Sequence, residues 1–347
     1  MRRILFLICL LVPFRLSAQE EVKEDSVAQI EAQTPLTAKR AKGGIIILGR
    51  GRNVRAMSPY KSNRDCLVEY ANIANEYYEI FEGTVNVYCM PIPIASEYYG
   101  REQTKEWNHS QRPALDKCRS ELLEEVTFVD VDPIMKQHVE EPIYARTDHH
   151  WMPLGAYYAA QEFARVANVP FKDLSHYKRK VVHDFVGTMY KFSGDISVKN
   201  NPEDFVFYVP QGVNYRTTYI DYFLDKARRY VVRETPVREG EFFLDYKDGS
   251  GVAYCTFMGG DTKLVKVKTS THNGRRLLIL KDSYGNALPG YLFYSFEEIC
   301  VVDCRYFTQN IIDYVLDNEI TDILFANNIG HAATPRTIEA YKEYLDQ

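Results

Sequence analysis

Short apolar runs alternate along this chain with segments in which apolar residues recur every three or four positions. The run Ile45-Ile46-Ile47-Leu48, bounded by Gly43, Gly44 and Gly49, predicts a buried strand. Residues 63–81 then place Leu67, Tyr70, Ile73, Ala74, Tyr77, Tyr78 and Phe81 on one face, the spacing of an amphipathic helix. A strand is predicted at 85–90, closed by Pro91 and Pro93, then a helix at 114–125 and a strand at 127–131. Residues 154–167 read as a helix with Pro153 in its first turn. Later strands are expected at 276–281, 298–303 and 322–326, with a helix at 309–318 between the last two. Strands alternating with helices in this way predict an α/β three-layer sandwich around a largely parallel central sheet.

The middle of the chain breaks that rhythm. From about 181 to 271 it is rich in Tyr, Phe, Val and Thr with frequent glycines, which predicts a β-rich insertion of antiparallel strands and loops lying over the sheet. Residues 19–42 carry Glu, Gln, Ala, Thr and Lys without an apolar period and read as a flexible leader, so order is expected to begin at Gly43. The domain proper is then 43–347. Residues 1–18 read as a cleaved signal peptide: Arg2 and Arg3 precede an apolar run from Ile4 to Val12, and Ser17-Ala18 suits signal peptidase, although Leu16 is a poor fit before it. Nothing later approaches the ~20 apolar residues of a membrane span, so a soluble periplasmic or extracellular protein is expected.

Composition narrows the function classes only slightly. The 347 residues are 46% hydrophobic with a formal charge of -5, enough for a sizeable core and without the basic excess of a nucleic-acid-binding domain. Six cysteines follow the leader, none at the Cys-x-x-Cys spacing of a zinc site. Export permits disulfides, but a domain of this size does not need them, and buried apolar packing is the expected role.

Two segments carry chemistry. In Arg146-Thr147-Asp148-His149-His150-Trp151, a carboxylate stands two residues before an imidazole, the pairing that orients a general base. If the segment is extended, Asp148 and His150 point to one side and His149 to the other. The second segment, Leu277 to Asn286, runs an apolar strand into Ser283 beside the turn-forming Gly285 and Asn286. A serine there suits a nucleophile at a helix N-terminus, where free amides favour developing negative charge. It equally suits a helix cap, as does Asp282. Adjacent histidines also suit a metal, so the serine tips the reading to a Ser283-His150-Asp148 triad that needs no metal or other cofactor.

The Thr-Asp-His-His-Trp run with the following Pro-Leu-Gly-Ala-Tyr-Tyr resembles the signature of the DHHW protein family. The likeness extends through Val87–Tyr98, Phe257-Met258-Gly259-Gly260-Asp261, Lys281-Asp282-Ser283-Tyr284 and Val301–Phe307. That family resembles the SGNH hydrolase superfamily and the periplasmic proteins that O-acetylate alginate, in which the Asp-x-His pair precedes the serine, as here. The resemblance implies Ser283 as nucleophile, His150 as base and Asp148 as its partner. It implies an oxyanion role for Asn328, a position that Asn327 fits equally well. Gly260, in the Gly259-Gly260 turn, would bring a backbone amide near the serine, and Tyr190 and Arg146 would line the cleft. Lys281 stands where a glycine precedes Asp-Ser in the wider superfamily. The implied activity is O-acetylation of a cell-surface or secreted polysaccharide, with a membrane-bound O-acyltransferase as the acetyl donor. The alternatives are a carbohydrate acetyl esterase of the same mechanism and a non-catalytic glycan-binding or assembly protein on the same fold. A metal-dependent hydrolase is a third, and it would need a further ligand converging on His149 and His150.

Overall fold

The structure is a computed structural model that describes residues 36–62, 64–227, 231–262 and 264–346. The expected signal peptide and most of the expected leader lie outside the described residues. An eight-stranded mixed sheet organises the molecule, in the order Arg238–Gly240, Tyr215–Ile220, Leu264–Thr269, Glu298–Asp303, Arg276–Lys281, Asp322–Ala326, Asn86–Cys89 and Thr127–Phe128. The last five strands in that order run parallel to one another, while the first three add to their edge antiparallel.

Period-two alternation explains why the parallel strands read as unbroken apolar runs. Leu277 and Ile279 pack into the core on one face of the sheet, while Leu278 and Leu280 pack into the core on the other. The first core is closed by the helix Pro153–Val166, whose Ala156, Ala159, Ala160 and Phe163 are fully buried. The second is closed by Arg64–Phe81, Arg112–Glu121, Ile311–Asp317 and Pro335–Asp346. On the Arg64–Phe81 helix, Leu67, Tyr70, Ile73, Ala74 and Tyr77 have no exposed surface. Each large side chain buried in this way contributes about 1.5–3 kcal/mol of transfer free energy. The result is a three-layer α/β sandwich. No helix among the described residues is long and apolar enough to cross a membrane.

Three departures from the predicted layout matter for the site. Order starts before Gly43: Ala38–Arg40 pairs antiparallel with Ile46–Leu48, which pairs with Arg55–Met57. These make a separate small sheet, so the Ile45-to-Leu48 run does not join the central one. The strands Tyr215–Ile220, Arg238–Gly240 and Leu264–Thr269 extend the central sheet in its own plane, where its edge supplies hydrogen-bond partners. The hairpin of Tyr177–Phe185 and Glu203–Pro210 forms its own two-stranded sheet. Between its strands, the short helices Met189–Ser193 and Ile196–Lys199 pack on the small N-terminal sheet through Met189 and Val198.

Lys281 ends the Arg276–Lys281 strand inside the molecule. Its ammonium lies 2.8 Å from Asp303, its register neighbour on the adjacent parallel strand, and both side chains are fully buried. Arg305 binds the same carboxylate and also Asp261, whose carboxyl also accepts from Asn286. Burial would raise the Asp261 carboxyl, but Lys281 and Arg305 pull it down to about 2.

Candidate active site

The Asp148-to-His150 segment is a tight bend and not an extended strand. Tyr144 and Trp151 form an antiparallel bridge at its base, and Met152 N donates to Ile143 O at 2.9 Å. The loop above is held from several sides. Glu203 accepts from the amides of Arg146 and Thr147 and from the Thr147 hydroxyl, at 2.7–2.9 Å. Arg55 donates to the carbonyls of Tyr144 and Ala145, and Met189 N donates to Thr147 O at 3.0 Å.

The bend turns Asp148 onto His150, with Oδ2 2.6 Å from Nδ1. A carboxylate can only accept, so Nδ1 carries the proton and Nε2 keeps its lone pair. Thr188 braces the other carboxylate oxygen, donating to Oδ1 from its amide at 2.7 Å and from its hydroxyl. Gly187 allows that approach, because a Cβ there would stand 2.3 Å from the Asp148 Cβ. Burial alone would raise the Asp148 carboxyl, but His150 and His149 hold it well below the usual range. Burial lowers the His150 imidazole against the opposing pull of Asp148.

Ser283 Oγ lies 2.8 Å from His150 Nε2. It opens a five-residue 3-10 turn, Ser283–Ala287, directly after the Arg276–Lys281 strand and Asp282. The helix expected there is only this short turn, which carries little of a macrodipole. The capping role falls to Asp282, whose Oδ1 accepts from Tyr284 N at 2.9 Å, leaving the Ser283 hydroxyl for the imidazole. The fully buried Asp282 also accepts from Asn328 N, from Asn328 Nδ2 and from His331 Nδ1, at 2.6–3.0 Å. Gly285 is required at this turn because a Cβ would fall 2.4 Å from the Lys281 Cβ.

Aromatic contacts fix the imidazole plane. The buried Tyr254 ring stacks on His150 at 3.9 Å with 7° between planes, and its hydroxyl donates to the carbonyls of Ser283 and Tyr284 at 3.0 Å. The Trp151 indole donates to Tyr284 O at 3.0 Å, so this residue ties the two segments together from within the core. His149 does not point away as an extended segment would have it. Its ring lies 3.7 Å from that of His150, and its Nδ1 is 2.7 Å from the Thr188 hydroxyl.

Asp148, His149 and His150 present nitrogen and oxygen atoms within 4.8 Å of one another, the one such group of possible metal ligands among the described residues. Their inward atoms are already engaged: Asp148 by His150 and Thr188, and His150 by Asp148 and Ser283. Asp148 is the further ligand that a metal-dependent hydrolase would need beside His149 and His150, but both of its oxygens are taken by protein donors.

The remaining expected site residues are placed differently. Asn328 donates to Asp282 from its backbone amide and from Nδ2, and its Oδ1 accepts from Gly330 N and His331 N, so it caps the helix Ile329–Ala332 on the cleft wall. Asn327 is turned into the core, accepting from Tyr70 and Tyr341. Gly260 spends its amide on Phe257 O at 3.0 Å and occupies a turn with φ 102°. The Arg146 guanidinium donates to the carbonyls of Arg52, Val54 and Pro202, a strut between loops and not a cleft wall. Tyr190 packs partly buried against the small N-terminal core with Lys199 over its ring. Pattern reading missed Glu203, Thr188, Tyr254 and His331, which act across 29 to 56 positions or more and have no local spacing that marks them.

A cleft of about 450 Å³ opens beside the dyad. Asp148, His149, Met189 and Tyr284 form part of its wall, and Lys61, Asn328 and His331 stand across from them in sequence on other elements. His331 is raised by its hydrogen bond to Asp282.

Comparison with known proteins places this geometry in a family. No curated protein matches the chain. Among solved structures, a DHHW family protein from Eubacterium siraeum is 38% identical with a TM-score of 0.78, over 88% of this chain and 98% of that one. Bacillus cereus PatB1, solved with a sulfonyl adduct, shares the fold at a TM-score of 0.64 and 19% identity, over 84% of this chain and 96% of that one. Residues 19–302 match the DHHW protein family throughout, and the chain belongs to that family.

Proposed function

We propose that this protein is a serine-dependent acyl-transfer enzyme that moves acetyl groups on a cell-surface or secreted polysaccharide. The observation that carries this reading is the unbroken hydrogen-bond relay from Asp148 through His150 to Ser283, at 2.6 and 2.8 Å. Ser283 Oγ attacks the acyl carbonyl while His150 Nε2 takes its proton, and Asp148 stabilises the resulting imidazolium. The Ser283 amide has no other partner among the described residues and serves as an oxyanion donor. Collapse of the tetrahedral intermediate expels the alkoxide, which His150 protonates, leaving an acetylated Ser283. In the second half, His150 deprotonates the acceptor, whose oxygen attacks the acetyl carbonyl; the bond to Ser283 Oγ then breaks and His150 returns the proton to Oγ. A sugar hydroxyl as acceptor makes the protein an O-acetyltransferase; water makes it an esterase. No step needs a metal or organic cofactor.

The family resemblance favours the transferase and a membrane-bound O-acyltransferase as the source of acetyl groups on the far side of the membrane. Hydrolysis of 4-nitrophenyl acetate by wild type, Ser283→Ala and His150→Ala tests the chemistry. Losses of at least about 10³-fold in both variants are expected, and equal turnover by all three sinks the triad. Because a fold relative carries a sulfonyl adduct, phenylmethylsulfonyl fluoride is a second probe: mass spectrometry should find the adduct on Ser283. An acetyl acceptor, such as a short oligosaccharide, added to the same assay separates transfer from hydrolysis.

A further inference from the structure

A chain of ring contacts leads from the surface to the core through the dyad. Phe192 lies 5.7 Å from His149, His149 lies 3.7 Å from His150, and His150 stacks on Tyr254 at 3.9 Å. Its two ends differ in kind. Tyr254 is 5% exposed, whereas Phe192 is 47% exposed. The described residues contain one other strongly exposed phenylalanine, Phe223, and the Arg233 guanidinium covers it at 4.0 Å. Among the described residues, the ring contact of Phe192 is with His149 alone.

Phe192 is also tied to the site through its backbone. Its amide donates to Thr188 O at 3.2 Å, and Thr188 is the residue that braces Asp148. Met189, on the same short helix, lines the cleft. A bare aromatic face kept in water beside a reactive centre forgoes the stabilisation that burial would give. It is recovered when a ligand with a flat apolar face covers the ring. A pyranose has such a face of C–H bonds and a rim of hydroxyls. The cleft offers the matching mixture, with Met57, Ile94 and Met189 beside Ser58, Lys61 and His331.

We propose that Phe192 is a stacking platform for the pyranose ring next to the one that gains or loses the acetyl group, a sugar subsite outside the reacting pair. This rests on the acyl-transfer reading above, and the test separates the two. Wild type, Phe192→Ala and Phe192→Trp are compared on acetylated xylotetraose and on 4-nitrophenyl acetate, with Ser283→Ala as the control for the chemistry. Phe192→Ala should lower kcat/KM on the oligosaccharide about tenfold, mostly through KM, and leave the small ester unchanged. Phe192→Trp should restore the oligosaccharide rate. The subsite is overturned if Phe192→Ala leaves the oligosaccharide rate unchanged, lowers both substrates equally, or if wild type does not deacetylate the oligosaccharide while hydrolysing the ester. Turnover that survives Ser283→Ala instead strikes the acyl-transfer reading itself.

Discussion

At the scale of single residues, the site depends on which atoms already have partners. Asp148 uses one oxygen on His150 and the other on Thr188, so both oxygens are engaged by protein donors. Asp148→Asn keeps the shape but can present an N–H to Nδ1, which turns the imidazole to the tautomer that cannot accept from Ser283. We expect kcat on 4-nitrophenyl acetate to fall on the order of 10³–10⁴-fold with little change in KM. The pH dependence follows from burial of His150. Burial lowers its pKa from the ordinary 6.5, and the proposed base works only when neutral. The acid limb of kcat/KM should therefore have its midpoint below 6.5, and a midpoint above 6.5 would contradict the burial argument.

The elements bring these residues together through a few distant anchors. Glu203 gathers three backbone and side-chain donors of the Arg146–Thr147 loop. Glu203→Gln replaces an acceptor oxygen by an amide that faces donors. It should cost about 1–3 kcal/mol in urea unfolding and lower kcat roughly tenfold through displacement of Asp148. Gly187→Ala acts from the opposite side by pushing on the Asp148 Cβ. The strands Arg276–Lys281, Glu298–Asp303 and Asp322–Ala326 were legible to the residue, because both of their faces are buried and each reads as an apolar run. Asp148, His150 and Ser283 were legible for a different reason, since their residue types and flanking turn formers imply chemistry before geometry. The anchors were not legible. Glu203 begins a hairpin strand and looks like any exposed strand-end acid until the fold places two loop amides over it. Asn328 was legible by position, since it stands on the cleft wall, but its capping bonds to the buried Asp282 from the amide and Nδ2 were not.

Across the whole molecule, Lys281 links the stability of the sheet to the position of the serine. Lys281 ends the strand just before Asp282 and Ser283, and its charge is balanced inside the protein by Asp303. Removing one partner of a buried pair usually costs about 3–5 kcal/mol, because the other charge stays behind. Here Arg305 remains on the Asp303 carboxylate and also holds Asp261, so the charge left by Lys281→Met is only partly uncompensated. The expected loss is thus at the low end of that range, read as a lower urea midpoint at unchanged slope. Arg305→Met removes the ion that two carboxylates share and should destabilise at least as much. The acid side of the stability profile should respond as well. Asp261, held at about 2 against an ordinary 3.8, contributes stability above pH 3.8 that fades as pH falls toward 2. If Lys281→Met and wild type lose stability in parallel between pH 4 and 2, Lys281 is not part of what holds Asp261 ionised. If the variant's loss is shallower across that window, the buried lysine tunes the carboxylate as its position beneath the serine turn requires.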